Sequence, residues 1–243
     1  MKSYSTIFVL GANGSIGREL VKKLRQQYPS AKIYGSYNSS SNIKELKDST
    51  QGLVQIDVTQ EASWRNLRLY LKDLNIKFDL ILSTVGTLEA NSKGPEKSLR
   101  DINLTQLEDV FKINTFHSVL FAKEIKNYIS DSENAKMIFL SAMVGSIAEN
   151  DIGGWYSYRA SKTALNMFIK GISIELSRKK LPIKVFAVHP GTTDTKLSEK
   201  FLQGVKHKIW KPSESAKNIL DIIEEVNFES GSFFNWDGRR IEW

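Results

Sequence analysis

Short runs of aliphatic and β-branched residues recur along the chain, separated by longer stretches whose apolar positions return every three or four residues. The short runs predict strands at Thr6–Leu10, Lys32–Ser36, Leu53–Ile56, Leu80–Ser83, Lys136–Leu140, Lys184–Val188 and Ser232–Asn235. The longer stretches predict helices at Ser15–Tyr28, Asn42–Lys47, Gln60–Leu74, Leu104–Ile129, Trp155–Arg178 and Ser213–Val226. Strand and helix alternate, which is the order of βαβ units with right-handed crossovers. The expected architecture is α/β: one doubly wound domain over residues 1–243, with a mostly parallel seven-stranded sheet and helices on both faces. No repeat, low-complexity tract or Pro/Gly-rich linker divides the chain. Only Thr87–Asp101 lacks a clear period, and it reads as a loop.

Composition narrows the chemistry. The 243 residues are 41% apolar and 25% charged, enough for one sizeable core. There is no cysteine, which excludes disulfides, thiolate metal sites and a thiol nucleophile. The three histidines, His117, His189 and His207, are too scattered to suggest a zinc site, so no metal is expected. The net charge of +7 is spread along the chain without a basic helix or an aromatic-interleaved basic run. It reads as a solvated surface, with no nucleic-acid partner expected; the densest patch, Lys206–Lys211, reads as a loop. The apolar run Ile7–Leu10 is too short for a signal peptide, and none approaches a membrane span. The expectation is a cytoplasmic protein without a membrane partner.

The first strand runs into Gly11, Ala12, Asn13, Gly14, Ser15, Ile16 and Gly17, and then into a helix. A strand, a glycine-rich turn and a helix N-terminus together set backbone N–H groups against a pyrophosphate. The glycine spacing differs from G-x-G-x-x-G. A turn without ligand is the plainer alternative. The second strand ends in Tyr34–Ser41, which has no Asp or Glu to hold ribose hydroxyls and repel a 2′-phosphate, and no Arg. Its hydroxyls and Asn38, with Arg18, favour NADP(H), with NAD(H) possible. Asp57 and Val58 follow the third strand; Asp57 either meets an adenine amino group or caps the next helix. Gly86 follows the fourth strand and permits close approach to a cofactor.

Tyr158 and Lys162 stand four residues apart, so they share one face of a helix whose buried stripe continues through Ala164, Phe168, Ile172 and Leu176. An ammonium beside a phenol favours the phenolate, and such a phenol exchanges protons with a carbonyl or alcohol oxygen. Asn114 lies on the apolar stripe of Leu107, Phe111, Ser118, Phe121 and Ile125, where a buried amide needs partners.

In this order, the glycine turn, a helix Asn, a Ser after a later strand and Tyr-x-x-x-Lys resemble the short-chain dehydrogenase/reductase family over essentially the whole chain. Residues 141–166, the loop VHPGTTDTKLS and the ending GSFFNWDGRRIEW are similar to its C-factor branch. The resemblance implies a Rossmann-type fold and direct hydride transfer between a nicotinamide cofactor and a small carbonyl or alcohol substrate. It implies Tyr158 as acid/base and Lys162 as the residue that holds the nicotinamide ribose and tunes Tyr158. It implies Asn114 as the organiser of a proton-relay water, and Pro190, Gly191, Thr193 and Thr195 as the nicotinamide loop. The family pattern Ser-Ser-x-x-Gly reads Ser141-Ala142-Met-Val-Gly145 here, so the usual serine place holds Ala142. Ser141 is the expected substitute, although alternation along the strand aims it at the other face. Ser146 is a further hydroxyl. Where the family shows Asn-Asn-Ala-Gly, this chain has Ser83-Thr84-Val85-Gly86. The resemblance also implies a homodimer or homotetramer through the two long helices. Lys196–Pro212 is a candidate substrate lid. The alternative is a cofactor-binding signalling or regulatory protein of the same fold with weak or no catalysis.

Overall fold

The computed structural model describes residues 3–39, 43–90, 94–225 and 229–243. Seven parallel strands form one sheet: β1 (Thr6–Leu10), β2 (Lys32–Tyr37), β3 (Gly52–Gln55), β4 (Leu80–Ser83), β5 (Lys136–Leu140), β6 (Lys184–His189) and β7 (Ser232–Asn235). Their order is β3-β2-β1-β4-β5-β6-β7, with all pairs parallel. The chain winds outward from β1 one way and then from β4 the other, so the crevice beyond the ends of β1 and β4 lies at the reversal.

Successive residues of a buried strand face opposite layers, and the core divides accordingly. Ile7, Val9, Ile138, Leu140, Phe186 and Val188 pack under α1 (Ser15–Gln27) and α7 (Pro212–Glu225). Phe8, Leu10, Ile81, Met137, Phe139, Val185 and Ala187 pack under α3 (Glu61–Leu74), α5 (His117–Ile125) and α6 (Tyr156–Arg178). The short α2 (Ile43–Lys47) adds Leu46 to the first layer.

The expected strands are all present, with shifts of one residue at three of them. The expected helix ends at Asn42 and Val226, the Ser41 end of the Ser-rich stretch and residues 91–93 of the expected loop lie outside the described residues. One helix differs in kind. Leu104–Ile129 is not continuous: α4 (Leu104–Phe111) passes into a π-helical turn, Lys112–Phe116, before α5 and a final 3-10 turn, Lys126–Tyr128. Apolar spacing carries through the wider turn, so periodicity alone did not mark it. Such turns concentrate at functional sites, and Asn114 sits in the middle of this one.

Candidate active site

The turn between β1 and α1 is shaped by atoms that are missing. A Cβ on Gly17 would lie 2.3 Å from the Gly11 carbonyl oxygen, and one on Gly11 would meet Thr84 Oγ1 at 2.9 Å. Gly11 also takes φ +81°, a region that favours glycine. Gly14 N–H donates to Gly11 O at 3.0 Å and closes the turn. Gly14 caps α1 without a side-chain hydrogen bond, and the first helical turn, which begins with Ser15, Ile16 and Gly17, carries no acidic residue. An uncapped helix N-terminus behind a glycine cradle is a fit for the phosphates of a dinucleotide. Arg18 adds a buried Nε without a hydrogen-bond partner among the described residues.

Neighbouring strands hold the turn in place. Ser36, at the end of β2, accepts from Gly11 N–H through Oγ (2.9 Å) and from Ala12 N–H through its carbonyl (2.8 Å). Asn13 Nδ2 donates to Ser39 O at 3.1 Å. Thr84 Oγ1 lies 2.9 Å from Gly11 O and 3.1 Å from Leu10 O, so a hydroxyl steadies the turn where the family pattern has asparagine. Asp57 Oδ1 accepts from the N–H and hydroxyl of Thr59, which makes it part of the turn into α3. The Val58 carbonyl accepts from Trp64 Nε1.

Across the crevice, Tyr158 and Lys162 lie on the first turns of α6, with Lys162 Nζ 6.0 Å from the Tyr158 ring centre. Lys162 is buried, and its ammonium donates to Leu140 O at 3.1 Å. Burial pulls its pKa down to about 8. Burial drives the Tyr158 phenol upward. The Lys162 ammonium is engaged with a backbone carbonyl, and burial is the cause of the rise at Tyr158.

Asn114 is fully buried. Its Oδ1 accepts from Thr87 N–H at 2.7 Å, while Nδ2 donates to Thr87 O (2.8 Å) and Ser161 Oγ (3.0 Å). The amide thus joins the π-turn, the chain after β4 and the helix of Tyr158. Gly86 lies between them: a Cβ there would be 3.3 Å from Lys162 Nζ and 3.6 Å from Asn114 Oδ1. Behind Asn114, His117 Nδ1 donates to Ile113 O at 2.7 Å, which leaves Nε2 to accept from Ser83 Oγ at 3.0 Å. Burial pulls the pKa of this imidazole down to about 3, so it is neutral at ordinary pH.

Ser141 is engaged with a residue of α6 other than Tyr158. Its hydroxyl donates to Asn166 Oδ1 at 2.7 Å, one turn beyond Lys162 on α6. Asn166 Nδ2 in turn donates to Gly145 O. No hydrogen bond joins Ser141 to Tyr158 among the described residues. Ser146 is also engaged, donating to Glu242 O at 2.6 Å. After β6, Pro190 leads into Gly191, which takes φ +78° beneath Trp210 and Trp236; a Cβ on it would lie 2.6 Å from Trp210 Cδ1. Thr193 Oγ1 bonds Gly191 O and Ser215 Oγ, and Thr195 bonds Ser198 Oγ. Both threonines shape the loop.

Glu96 was not singled out by sequence. It is buried within the stretch read as a loop, where its carboxylate accepts from Ser157 N–H, Ser157 Oγ and Gln106 Nε2. Burial alone would raise its pKa, but these bonds hold it below the usual carboxylate value. It anchors the first turn of the Tyr158 helix. A lone Glu in an aperiodic stretch carries no sequence signal of such a role.

Among known proteins, a dehydrogenase of Rhodococcus sp. (strain AD45), 1-hydroxy-2-glutathionyl-2-methyl-3-butene dehydrogenase, is 25% identical over 240 residues, covering 98% of this chain and all of the relative. C-signal of Myxococcus xanthus is 27% identical over 147 residues, 60% of this chain and 84% of the relative. The fold matches the crystal structure of a Burkholderia multivorans short-chain dehydrogenase/reductase with bound NADP, at a TM-score of 0.82 and 19% identity over 99% of this chain and all of that one. Residues 5–206 match the short chain dehydrogenase family, and the chain belongs to that family of oxidoreductases.

Proposed function

We propose that this chain reduces carbonyl compounds with NADP(H), with Tyr158 as the proton donor. The observation that carries the reading is the convergence on Gly86: Lys162 and Asn114 lie behind it, and Thr84, two residues back, touches the Gly11–Gly17 turn. A nicotinamide cofactor held in the crevice would supply the hydride. Tyr158 would give its hydroxyl proton to the carbonyl oxygen. A phenol raised by burial stays protonated at neutral pH, which suits donation better than abstraction. Lys162 would bind at the sugar beside it, and Asn114 would hold the π-turn and the Thr87 backbone in register.

Three observations support NADP(H) over NAD(H). The described end of β2 and the residues after it present hydroxyls and an amide without a carboxylate. Arg18 offers a buried Nε, unpartnered among the described residues, at the start of α1. The Burkholderia structure contains NADP. Thermal shift with each cofactor tests the choice, since a ligand bound by the folded state alone raises Tm. A larger shift with NADPH is expected, and a larger shift with NADH would overturn the preference. NADPH oxidation by aldehydes and ketones tests the chemistry, with Tyr158→Phe as the control; equal rates in both proteins would remove Tyr158 from it.

A second reading has one observation in its favour. Ala142 occupies the usual serine place, and the Ser141 hydroxyl is given to Asn166. A cofactor-binding regulatory protein with weak catalysis would be built this way. It predicts NADPH binding with little carbonyl turnover.

A further inference from the structure

The wall beside Tyr158 is aromatic and held by strained backbone. Gly153, Gly154 and Trp155 take φ of +68°, +65° and +50° in succession, and Trp155 is the N-cap of α6. Glycine enters this region freely; an indole-bearing residue does so only where its surroundings hold it there. Here Trp155 N–H donates to Glu96 O, and Ser157, two residues on, is bound to the Glu96 carboxylate. Backbone strain of this kind gathers at ligand sites. The strained backbone sets the Trp155 ring edge-on to Tyr158, with centroids 6.1 Å apart at 69°.

A second ring arrives from a different element. Phe201, at the end of the 3-10 turn Glu199–Phe201, lies 5.8 Å from Trp155 at 64°. Both rings are half-buried, so part of their surface remains open. Beside them Lys200 Nζ pairs with Glu89 Oε1 at 2.7 Å, which cancels the local charge. Arg159, next to Tyr158, turns its Nε to Gly153 O. Trp155 and Phe201 therefore give this part of the wall ring edges and faces.

Resting on the reductase reading above, we propose that Trp155 and Phe201 form an aryl subsite, and that the preferred substrates are uncharged carbonyl compounds carrying a flat aromatic ring next to the carbonyl. Rings already meeting edge to face leave quadrupole-matched surface for one more ring, an attraction that a saturated ring of equal size lacks.

The test compares acetophenone with cyclohexyl methyl ketone, which have the same number of heavy atoms. Steady-state reduction with NADPH is measured for native protein, Trp155→Gly and Phe201→Leu. Glycine suits the left-handed backbone, so the first variant removes the ring without adding strain; the second lies on a separate segment. The expected result is a fall of about fivefold to tenfold in the acetophenone-to-cyclohexyl ratio of kcat/KM in each variant. Using the ratio removes the difference in intrinsic reactivity of the two ketones. An unchanged ratio in both folded variants overturns the subsite. Affinity of the NADP+-loaded protein for each ketone separates this proposal from the reductase reading. Tighter acetophenone binding, lost in the variants, supports the subsite even if neither ketone is reduced, in which case reduction of these ketones fails on its own. Equal affinity for both ketones in native protein overturns the subsite.

Discussion

The two sides of the crevice are built by opposite means. On the β1–α1 side the walls are backbone, shaped by the side chains that Gly11, Gly14 and Gly17 lack, and the polar contacts hold main-chain atoms. On the β5–α6 side the walls are buried polar side chains bonded to one another: Ser141 with Asn166, Asn114 with Ser161, Glu96 with Ser157. A site made from absent atoms fails by addition. A site made from buried polar partners fails by subtraction, because each lost group strands another.

The largest effect should come from subtracting one oxygen on the side-chain side. Tyr158→Phe is expected to lower kcat/KM for carbonyl reduction by ~10³-fold, with NADPH affinity by fluorescence titration nearly unchanged; a matching loss of affinity would mean that the two sides are not separable. Adding one methyl on the backbone side should do the reverse. In Gly17→Ala the new carbon lies 2.3 Å from a carbonyl oxygen that cannot move freely, so a stability loss of about 3 kcal/mol and loss of cofactor binding are expected in denaturant titrations.

Lys162 sharpens the contrast, because a side chain proposed for the chemistry costs the fold. Its folded pKa of about 8 lies below the ordinary 10.5. Between those values the unfolded chain holds a proton that the folded chain has released, so stability rises with pH across the window and the penalty is full below it. Lys162→Met should therefore be more stable than native protein at pH 7, on the order of 2–3 kcal/mol. The gain should shrink from about pH 8 to 10.5. Urea midpoints across that range check this; a pH-independent difference would contradict the buried charge. The smallest effect belongs to Ser141→Ala. Losing its bond to Asn166 should lower stability by about 1 kcal/mol, with kcat reduced less than about threefold. A drop of ~10²-fold, the scale of a direct proton-transfer group, would place its hydroxyl at the reacting oxygen after all.

The same contrast explains what was legible in the sequence. Strands emerged because runs such as Ile7–Leu10 and Met137–Leu140 are buried on both faces and can be nothing else. The glycine turn was legible because glycine at fixed spacing is a steric requirement written locally. Tyr158 and Lys162 share a helix face, which spacing alone defines. The partners on the side-chain side come from far along the chain: Ser141 meets Asn166 25 residues away, and Ser157 meets Glu96 61 residues away. No local pattern encodes those pairings. Strand alternation aimed Ser141 at the layer away from the Tyr158 helix, whereas its bond to Asn166 turns it toward α6, one turn beyond Lys162. The left-handed Trp155 was illegible for a plainer reason, since local propensity argues against it and only tertiary contacts hold it there.

The π-turn at Lys112–Phe116 carries a consequence for the length of the chain. Its spiral closes over more residues than the regular 3.6, so it behaves like one inserted letter whose frame the downstream helix has absorbed. Deleting Lys112 from this turn would restore an ordinary helix, and would also swing one flank by about 100° against the other. Asn114 would then be carried off Thr87 and Ser161 while every apolar residue survived in the text. Insertions and deletions should be excluded from this short stretch, even where residues other than Asn114 are exchanged.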